Sequence, residues 1–255
     1  MPEKRVAIVT GATQGIGLAV ARVLSAAHFR VAIGARGAAD PQVVAHVRAQ
    51  LPDACLQVLD VADRSSVERF VAHVVSHLGA PTVLVNAAGV SAHATVEQLD
   101  DDEWQSVLDI NLTGCMRMIR ACWPTMHAAQ FGRIVNIGST AARTGAIGYS
   151  AYCASKAGLL GLTRCTAIEG APSGITCVMV SPTWVETEML RQSAAEIATR
   201  TGRSVASEIQ AIAESNPQQR LVQPEDVARL VAYCCSDDAS AVTMEDIQVN
   251  AGAHW

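Results

Sequence analysis

Apolar positions along the chain alternate between two patterns. Short, nearly continuous apolar runs rich in β-branched residues recur at Val6–Thr10, Arg30–Gly34, Cys55–Leu59, Val83–Asn86, Arg133–Ile137, Thr176–Ser181 and Asp246–Val249. The stretches between them carry apolar residues at helical spacing, as Leu18, Val20, Ala21, Val23 and Leu24 do after the first run. Strands that read as apolar throughout are buried on both faces, and strands alternating with helices imply right-handed crossovers. The pattern therefore predicts an α/β fold, a doubly wound parallel sheet of about seven strands, Rossmann-like, with helices on both faces. No composition break or repeat divides residues 1–255, so one domain is expected. The least core-like stretch is 188–224. It is polar and alanine-rich, with Ile197, Val205, Ile209 and Ile212 at helical spacing, and it falls between the sixth and seventh strands. An insertion there overlies the carboxyl ends of the strands, where ligands bind in such sheets. It reads as a mobile helical substrate lid, with a fixed surface hairpin as the alternative.

Composition narrows the setting. Half of the 255 residues are hydrophobic, yet no apolar run is long enough to span a bilayer. No basic-then-apolar leader opens the chain, so a cytoplasmic protein without a membrane partner is expected. A net charge of −5 argues against nucleic acid. The eight cysteines, Cys55, Cys115, Cys122, Cys153, Cys165, Cys177, Cys234 and Cys235, show no Cys-x-x-Cys pairing. They read as reduced, buried small hydrophobes, with no metal site expected. Cys153 adjoins Tyr152 but is expected to point elsewhere on its helix and to carry no chemistry.

Two motifs carry the chemistry. After the first strand comes Gly11-Ala-Thr13-Gln14-Gly15-Ile16-Gly17, a glycine-rich turn that opens a helix. Such a turn lets a pyrophosphate approach bare backbone amides at the positive end of the helix dipole. Further on, Tyr152 and Lys156 stand at i and i+4, which puts both on one helix face. A phenol with a pKa of about 10 is a poor acid–base catalyst at neutral pH, and a neighbouring ammonium favours its anion. Tyr149 lacks such a partner, because its i+4 residue is Cys153; it is expected to line a pocket.

Taken together, Thr10-Gly11…Gly15-Ile16-Gly17, Asn86-Ala87-Ala88-Gly89, Asn111, Ser139 and Tyr152…Lys156 resemble the single-domain short-chain dehydrogenase/reductases, in order and interval over nearly the whole chain. The resemblance implies hydride transfer between a nicotinamide cofactor and a carbonyl or alcohol. In it Tyr152 exchanges the proton, and Ser139 hydrogen-bonds the same oxygen. Lys156 supports Tyr152 and binds the nicotinamide ribose, and Asn111 holds a water beside Lys156. By the same resemblance Asp60, with Val61, meets the adenine edge; as a lone residue Asp60 could instead cap the next helix, with Asp63 or Ser65 competing. Asn86, Ala87 and Gly89 leave room for the cofactor, Asn86 tying down neighbouring backbone. Pro182, Val185 and Thr187 lie along the nicotinamide, although Thr183 stands where glycine is usual.

The residues after the second strand bear on the cofactor. Where NAD-preferring relatives carry Asp the chain has Ala35, followed by Arg36, so no carboxylate repels a 2′-phosphate and a guanidinium is present to hold it. NADP(H) is favoured over NAD(H), although Gln14 occupies a position where many NADP users carry a basic residue.

For the substrate, Ser91, His93, Ala141, Arg143, Ile147, Tyr149 and Trp184 fall where relatives line their pockets. Trp184 favours a small or flat molecule. Arg143 could pair with a carboxylate or phosphate, or lie on the surface. The terminal His254-Trp255 reads as an interface element, and the resemblance implies a homotetramer. Three readings stay open: an NADPH-linked reductase of a small ketone or 3-oxoacyl compound, an NAD-dependent dehydrogenase of a secondary alcohol or polyol, and a catalytically silent dinucleotide-binding scaffold.

Overall fold

The computed structural model describes residues 4–253, so the expectation for His254 and Trp255 lies outside it. Seven strands, β1 (Val6–Thr10), β2 (Arg30–Ala35), β3 (Cys55–Val58), β4 (Pro81–Asn86), β5 (Gly132–Ile137), β6 (Ile175–Pro182) and β7 (Asp246–Val249), form one sheet in the order β3-β2-β1-β4-β5-β6-β7. Every ladder in it is parallel. The expected runs match these strands to within about two residues at each end, the usual uncertainty of boundaries read from sequence.

Burial on both faces explains why the strands read as unbroken apolar runs. In β1, Ala7 and Val9 face one core layer while Val6 and Ile8 face the other. The first layer is closed by helices α1 (Gly15–Ala26) and α9 (Pro224–Cys234), through Leu18, Leu24, Val227 and Val231. The second is closed by α3 (Arg64–Leu78) and α5 (Gly114–Ala129), through Phe70, Val74, Met118 and Met126, with Ala167 of α6 (Ser150–Gly170) beside them. The short helices α2 (Pro41–Gln50) and α4 (Asp101–Leu108) complete the crossovers. The helix after β3 is capped by Asp63, whose carboxylate accepts from the Ser65 and Ser66 amides. Asp60 is thereby free of that job.

The insertion expected at 188–224 is a pair of helices, α7 (Glu188–Thr201) and α8 (Val205–Ser215), followed by an extended segment that enters α9. A polar chain crosses the apolar interior. Asn86 of β4 donates to Asn136 Oδ1 at 2.8 Å, Asn136 Nδ2 donates to Thr163 Oγ1 at 2.9 Å, and Thr163 Oγ1 donates to the Leu159 carbonyl at 2.8 Å. The sheet order reverses at β1, with β2 on one side and β4 on the other, so a crevice opens at the carboxyl ends of β1 and β4.

Candidate active site

Two adjoining cavities occupy that crevice, and together they share Ile16, Ala87, Gly89, Thr187 and Met189 as lining. The outer cavity is bounded by the Gly11–Gly17 turn, by Gly34–Gly37 after β2, and by Asp60 and Val61 after β3. The inner one is bounded by Ser139, Tyr149, Tyr152, Cys153, Lys156 and the segment Pro182–Val185.

The glycines make the outer cavity possible. Gly11 has φ +66°, and a Cβ there would sit 2.7 Å from Ala88 Cα, so the turn closes against the end of β4 only without a side chain. A Cβ on Gly17 would lie 2.6 Å from the Gly11 carbonyl. Gly15, at φ +54°, faces Thr187 Cγ2 across the groove at 3.3 Å from where its Cβ would be. These positions leave bare backbone at the N-terminus of α1, which suits a pyrophosphate. Arg36 lines the same cavity, and its guanidinium has no ion-pair partner among the described residues. The neighbouring Asp40 carboxylate is committed to capping α2, accepting from Gln42 N at 2.8 Å. The residues present therefore fit a dinucleotide.

The strand β5 delivers Ser139 to the inner cavity. Its Oγ accepts from the Ala141 amide at 3.1 Å, which caps a tight turn at Thr140–Ala142 and leaves the hydroxyl proton free for an oxygen in the cavity. The helix α6 delivers the other two groups. Lys156 is 5 % exposed, donates to the Ile137 carbonyl at 2.8 Å, and places Nζ 5.6 Å from the centre of the Tyr152 ring. A Cβ on Gly89 would stand 3.8 Å from that Nζ, so the ammonium lies beside a residue that both cavities share. Tyr149 stands edge-on to Tyr152 and to Trp184, each at 6.5 Å between ring centres, forming an aromatic wall. Burial pushes the Tyr149 phenol above its ordinary pKa, so it stays protonated at neutral pH.

The structure adds ties to some of the expected residues and corrects the placement of others. The Asn111 amide is fully buried and already engaged: its oxygen accepts from Val90 N at 2.9 Å, while its nitrogen donates to Val90 O at 2.9 Å and Ser155 Oγ at 3.0 Å. Both of its protons are committed, so the side chain clamps the chain after β4 to α6, and a water beside Lys156 would be held by an accepting oxygen of Asn111. It sits in a π-helical turn, Asp109–Thr113, between α4 and α5. Asn86 lines neither cavity; the backbone it was expected to hold is held by Thr10, whose Oγ1 accepts from Ala87 N and Ala88 N at 3.1 and 3.0 Å. The signal for this role in the sequence is a hydroxyl at the end of a central strand.

Arg143 leaves the cavity and pairs with Asp246 at 2.7 Å. Ile147 is 81 % exposed, and His93 packs edge-on against Tyr149 at 4.9 Å, so neither of them lines the cavity. Ser91, Ala141, Tyr149 and Trp184 do. Cys153, expected to face away, lines it too, because α6 begins at Ser150 and its first turn is wrapped by the cavity on more than one side. Of the remaining cofactor-side residues, Thr13, Gln14, Ile16, Asp60 and Val61 line the outer cavity, and Pro182 and Val185 the inner. No cluster suited to a metal ion occurs among the described residues, and no helix there is long and apolar enough to cross a membrane.

Comparison with known proteins agrees with this geometry. A family model described as enoyl-(acyl carrier protein) reductase matches residues 11–254. A protein of Streptomyces virginiae described as a ketoacyl reductase of the monensin polyketide synthase is 41 % identical, over 97 % of this chain and 96 % of its own. The 3-oxoacyl-(acyl-carrier-protein) reductase FabG of Pseudomonas aeruginosa is 35 % identical, over 98 % of this chain and 97 % of its own. The crystal structure of a substituted actinorhodin polyketide ketoreductase with NADPH superposes with a TM-score of 0.94 at 36 % identity, covering 99 % of this chain and 98 % of that one. The fold, the motifs in order, and these likenesses over nearly the full length lead to one assignment: the chain belongs to the short-chain dehydrogenase/reductase family and is an NAD(P)-dependent oxidoreductase.

Proposed function

We propose that the protein is an NADPH-dependent reductase of a ketone on a 3-oxoacyl or similar small, flat carbonyl compound. The observation that carries this is the joining of two cavities at Gly89, one with Arg36 and bare glycine backbone, the other with Ser139, Tyr152 and Lys156. The relatives named as ketoacyl reductases support the substrate class.

When bound, the nicotinamide supplies a hydride to the carbonyl carbon. The protein must then hold the oxygen and protonate it. Ser139 donates its free hydroxyl proton to the carbonyl oxygen and stabilises the charge that develops there. Tyr152 delivers the proton that completes the alcohol. Lys156, held by the Ile137 carbonyl, sets its ammonium beside the Tyr152 ring, where it attracts the negative charge that this transfer leaves. The Trp184–Tyr149 wall and the lack of charged lining other than Lys156 favour an uncharged, flat reacting group. The first two turns of α7 add Met189, Leu190 and Ser193 to the lining, which supports reading α7–α8 as a lid. A cytoplasmic homotetramer belongs to the same reading, and light scattering tests its assembly.

The test follows nicotinamide absorbance with NADPH or NADH against small ketones, 3-oxoesters and cyclic diketones. Turnover with NADPH is expected, falling by at least about 1,000-fold in Tyr152→Phe while the variant still binds NADPH. Near-native turnover of a folded Tyr152→Phe protein would overturn the assignment of the acid.

A further inference from the structure

We infer that Arg143 and Asp246 are positioning residues for the reaction, holding Ser139 in place from outside the cavity. The inference rests on the reading of Ser139 given above. It begins with the short segment Gly138–Arg143, which carries Ser139 and is fixed at both ends. At the first end, the Gly138 amide donates to the Val180 carbonyl at 2.8 Å, and a Cβ on Gly138 would stand 2.5 Å from Ser181 Oγ, so the backbone lies flush against β6. At the other end, Arg143 Nε donates to Asp246 Oδ2 at 2.7 Å.

The two anchors meet in one carboxylate. The Asp246 side chain is 1 % exposed, and its Oδ1 accepts from the hydroxyl of Ser181, itself fully buried. A carboxylate so buried requires charged and hydrogen-bonding partners, and Arg143 supplies the charge. The backbone between the anchors has few other ties: Ala142 N to Ser139 O at 3.0 Å, Arg143 N to Thr140 O at 3.1 Å, and the Ser139 cap itself. All of these lie within the turn, so they shape it without locating it. Location comes from β6 at Gly138, from packing of Ala142 against Leu159 and Met179, and, at the Arg143 end, from β7 through Asp246. Ser181 is followed directly by the inner-cavity residues Pro182–Val185, so the same carboxylate sets the Ser139 turn relative to the Trp184 wall.

A serine that drifts by about an ångström no longer meets the developing oxyanion, and misplacement of that order costs on the order of 100-fold in rate. The experiment measures kcat and KM with NADPH and ethyl acetoacetate for Arg143→Met, Arg143→Lys, Asp246→Asn, Ser139→Ala and the double variant Ser139→Ala/Arg143→Met, with the NADPH dissociation constant read by fluorescence. Arg143→Met is expected to lower kcat by about ten-fold or more, with KM and NADPH affinity within about three-fold of the parent. Arg143→Lys recovers part of the loss, because a point charge replaces the directed Nε–H. In the Ser139→Ala background the same Arg143→Met change costs less than about two-fold, since the group it positions is gone. Unchanged kcat in Arg143→Met overturns the inference, as does a loss that multiplies in full upon Ser139→Ala. If Arg143→Met does not fold, Asp246→Asn carries the same expectation, because the amide oxygen still accepts from Ser181. Full turnover of Ser139→Ala would instead overturn the underlying role of the serine.

Discussion

Arg36 shows how much a single side chain decides. It lines the outer cavity with no ion-pair partner among the described residues, beside Gly37 and Thr13, and Ala35 contributes no carboxylate. A charge-assisted contact to a 2′-phosphate is worth about 1.5–3 kcal/mol. Arg36→Ala should therefore weaken NADPH binding by about ten-fold or more and leave NADH within about two-fold, as fluorescence titration would show; equal losses for both cofactors would remove the proposed preference. This reading was open in the sequence because it depends on local order along the chain, a strand end followed by one residue and then a guanidinium. The same holds for Tyr152 and Lys156, which helical spacing alone brings to one face. The side-chain partners of Asn111 and Arg143 were not legible. Asn111 is bound to Val90 and Ser155, which lie 21 and 44 positions away, and Arg143 to Asp246 across 103 positions. Only the folded register decides whether such a polar group faces the cavity or is used up elsewhere. Cys153 was misplaced for a related reason: its angle on the helix is readable, whereas the extent of the cavity around that helix is not.

Among the elements, α7 and α8 are joined by a latch that can be opened on its own. Arg203 donates to both Glu208 oxygens, at 2.8 and 2.7 Å, and Thr201 donates to the same carboxylate, which is almost wholly shielded. The hydrogen bond from Arg203, then that from Thr201, hold the Glu208 carboxyl below its usual pKa. A depressed folded-state pKa stabilises the latch at any pH above the ordinary carboxylate value, about 4.3, and that contribution is lost as pH falls through the lower folded value. Glu208→Gln should then reduce hydrogen-exchange protection across α8 at pH 7, with the two proteins converging below the wild-type carboxyl's pKa. Equal protection at neutral pH would show that the latch contributes nothing. The sequence disclosed a helical pattern here, in Ile197, Val205, Ile209 and Ile212. Which ion pair ties α7 to α8 depended on the sharp turn at Gly202, with φ +72°, that brings Thr201 and Arg203 back toward α8.

Across the whole molecule, chemistry and stability sit at opposite ends of one sheet. The carboxyl ends of the strands carry the two cavities. At the amino end of β5, Arg133 is 4 % exposed and donates to the carbonyls of Gly132, Gly174 and Ser236. Its guanidinium lies 4.1 Å from the Phe131 ring, and Arg5 lies 4.0 Å from the same ring, itself paired with Asp237 at 2.9 Å. Arg133→Met leaves those carbonyls without their donor and should cost about 2–3 kcal/mol. For a chain of this length the melting temperature falls by roughly 5 °C or more. Calorimetry would read that shift, while NADPH affinity and KM stay at parental values; altered kinetics would mean that the two ends are coupled. The layered architecture was legible because a strand buried on both faces leaves an unmistakable apolar run, whereas the hydrogen-bond chain from Asn86 through Asn136 to Thr163 was not, each member looking like an ordinary polar interruption. That chain has a bearing on descent. Replacing any one of its members by an apolar residue strands a neighbouring amide or hydroxyl in the interior, so the intermediate is worse than either end point. The three positions are therefore coupled in drift: a change at one costs about 1–3 kcal/mol until its neighbour changes with it.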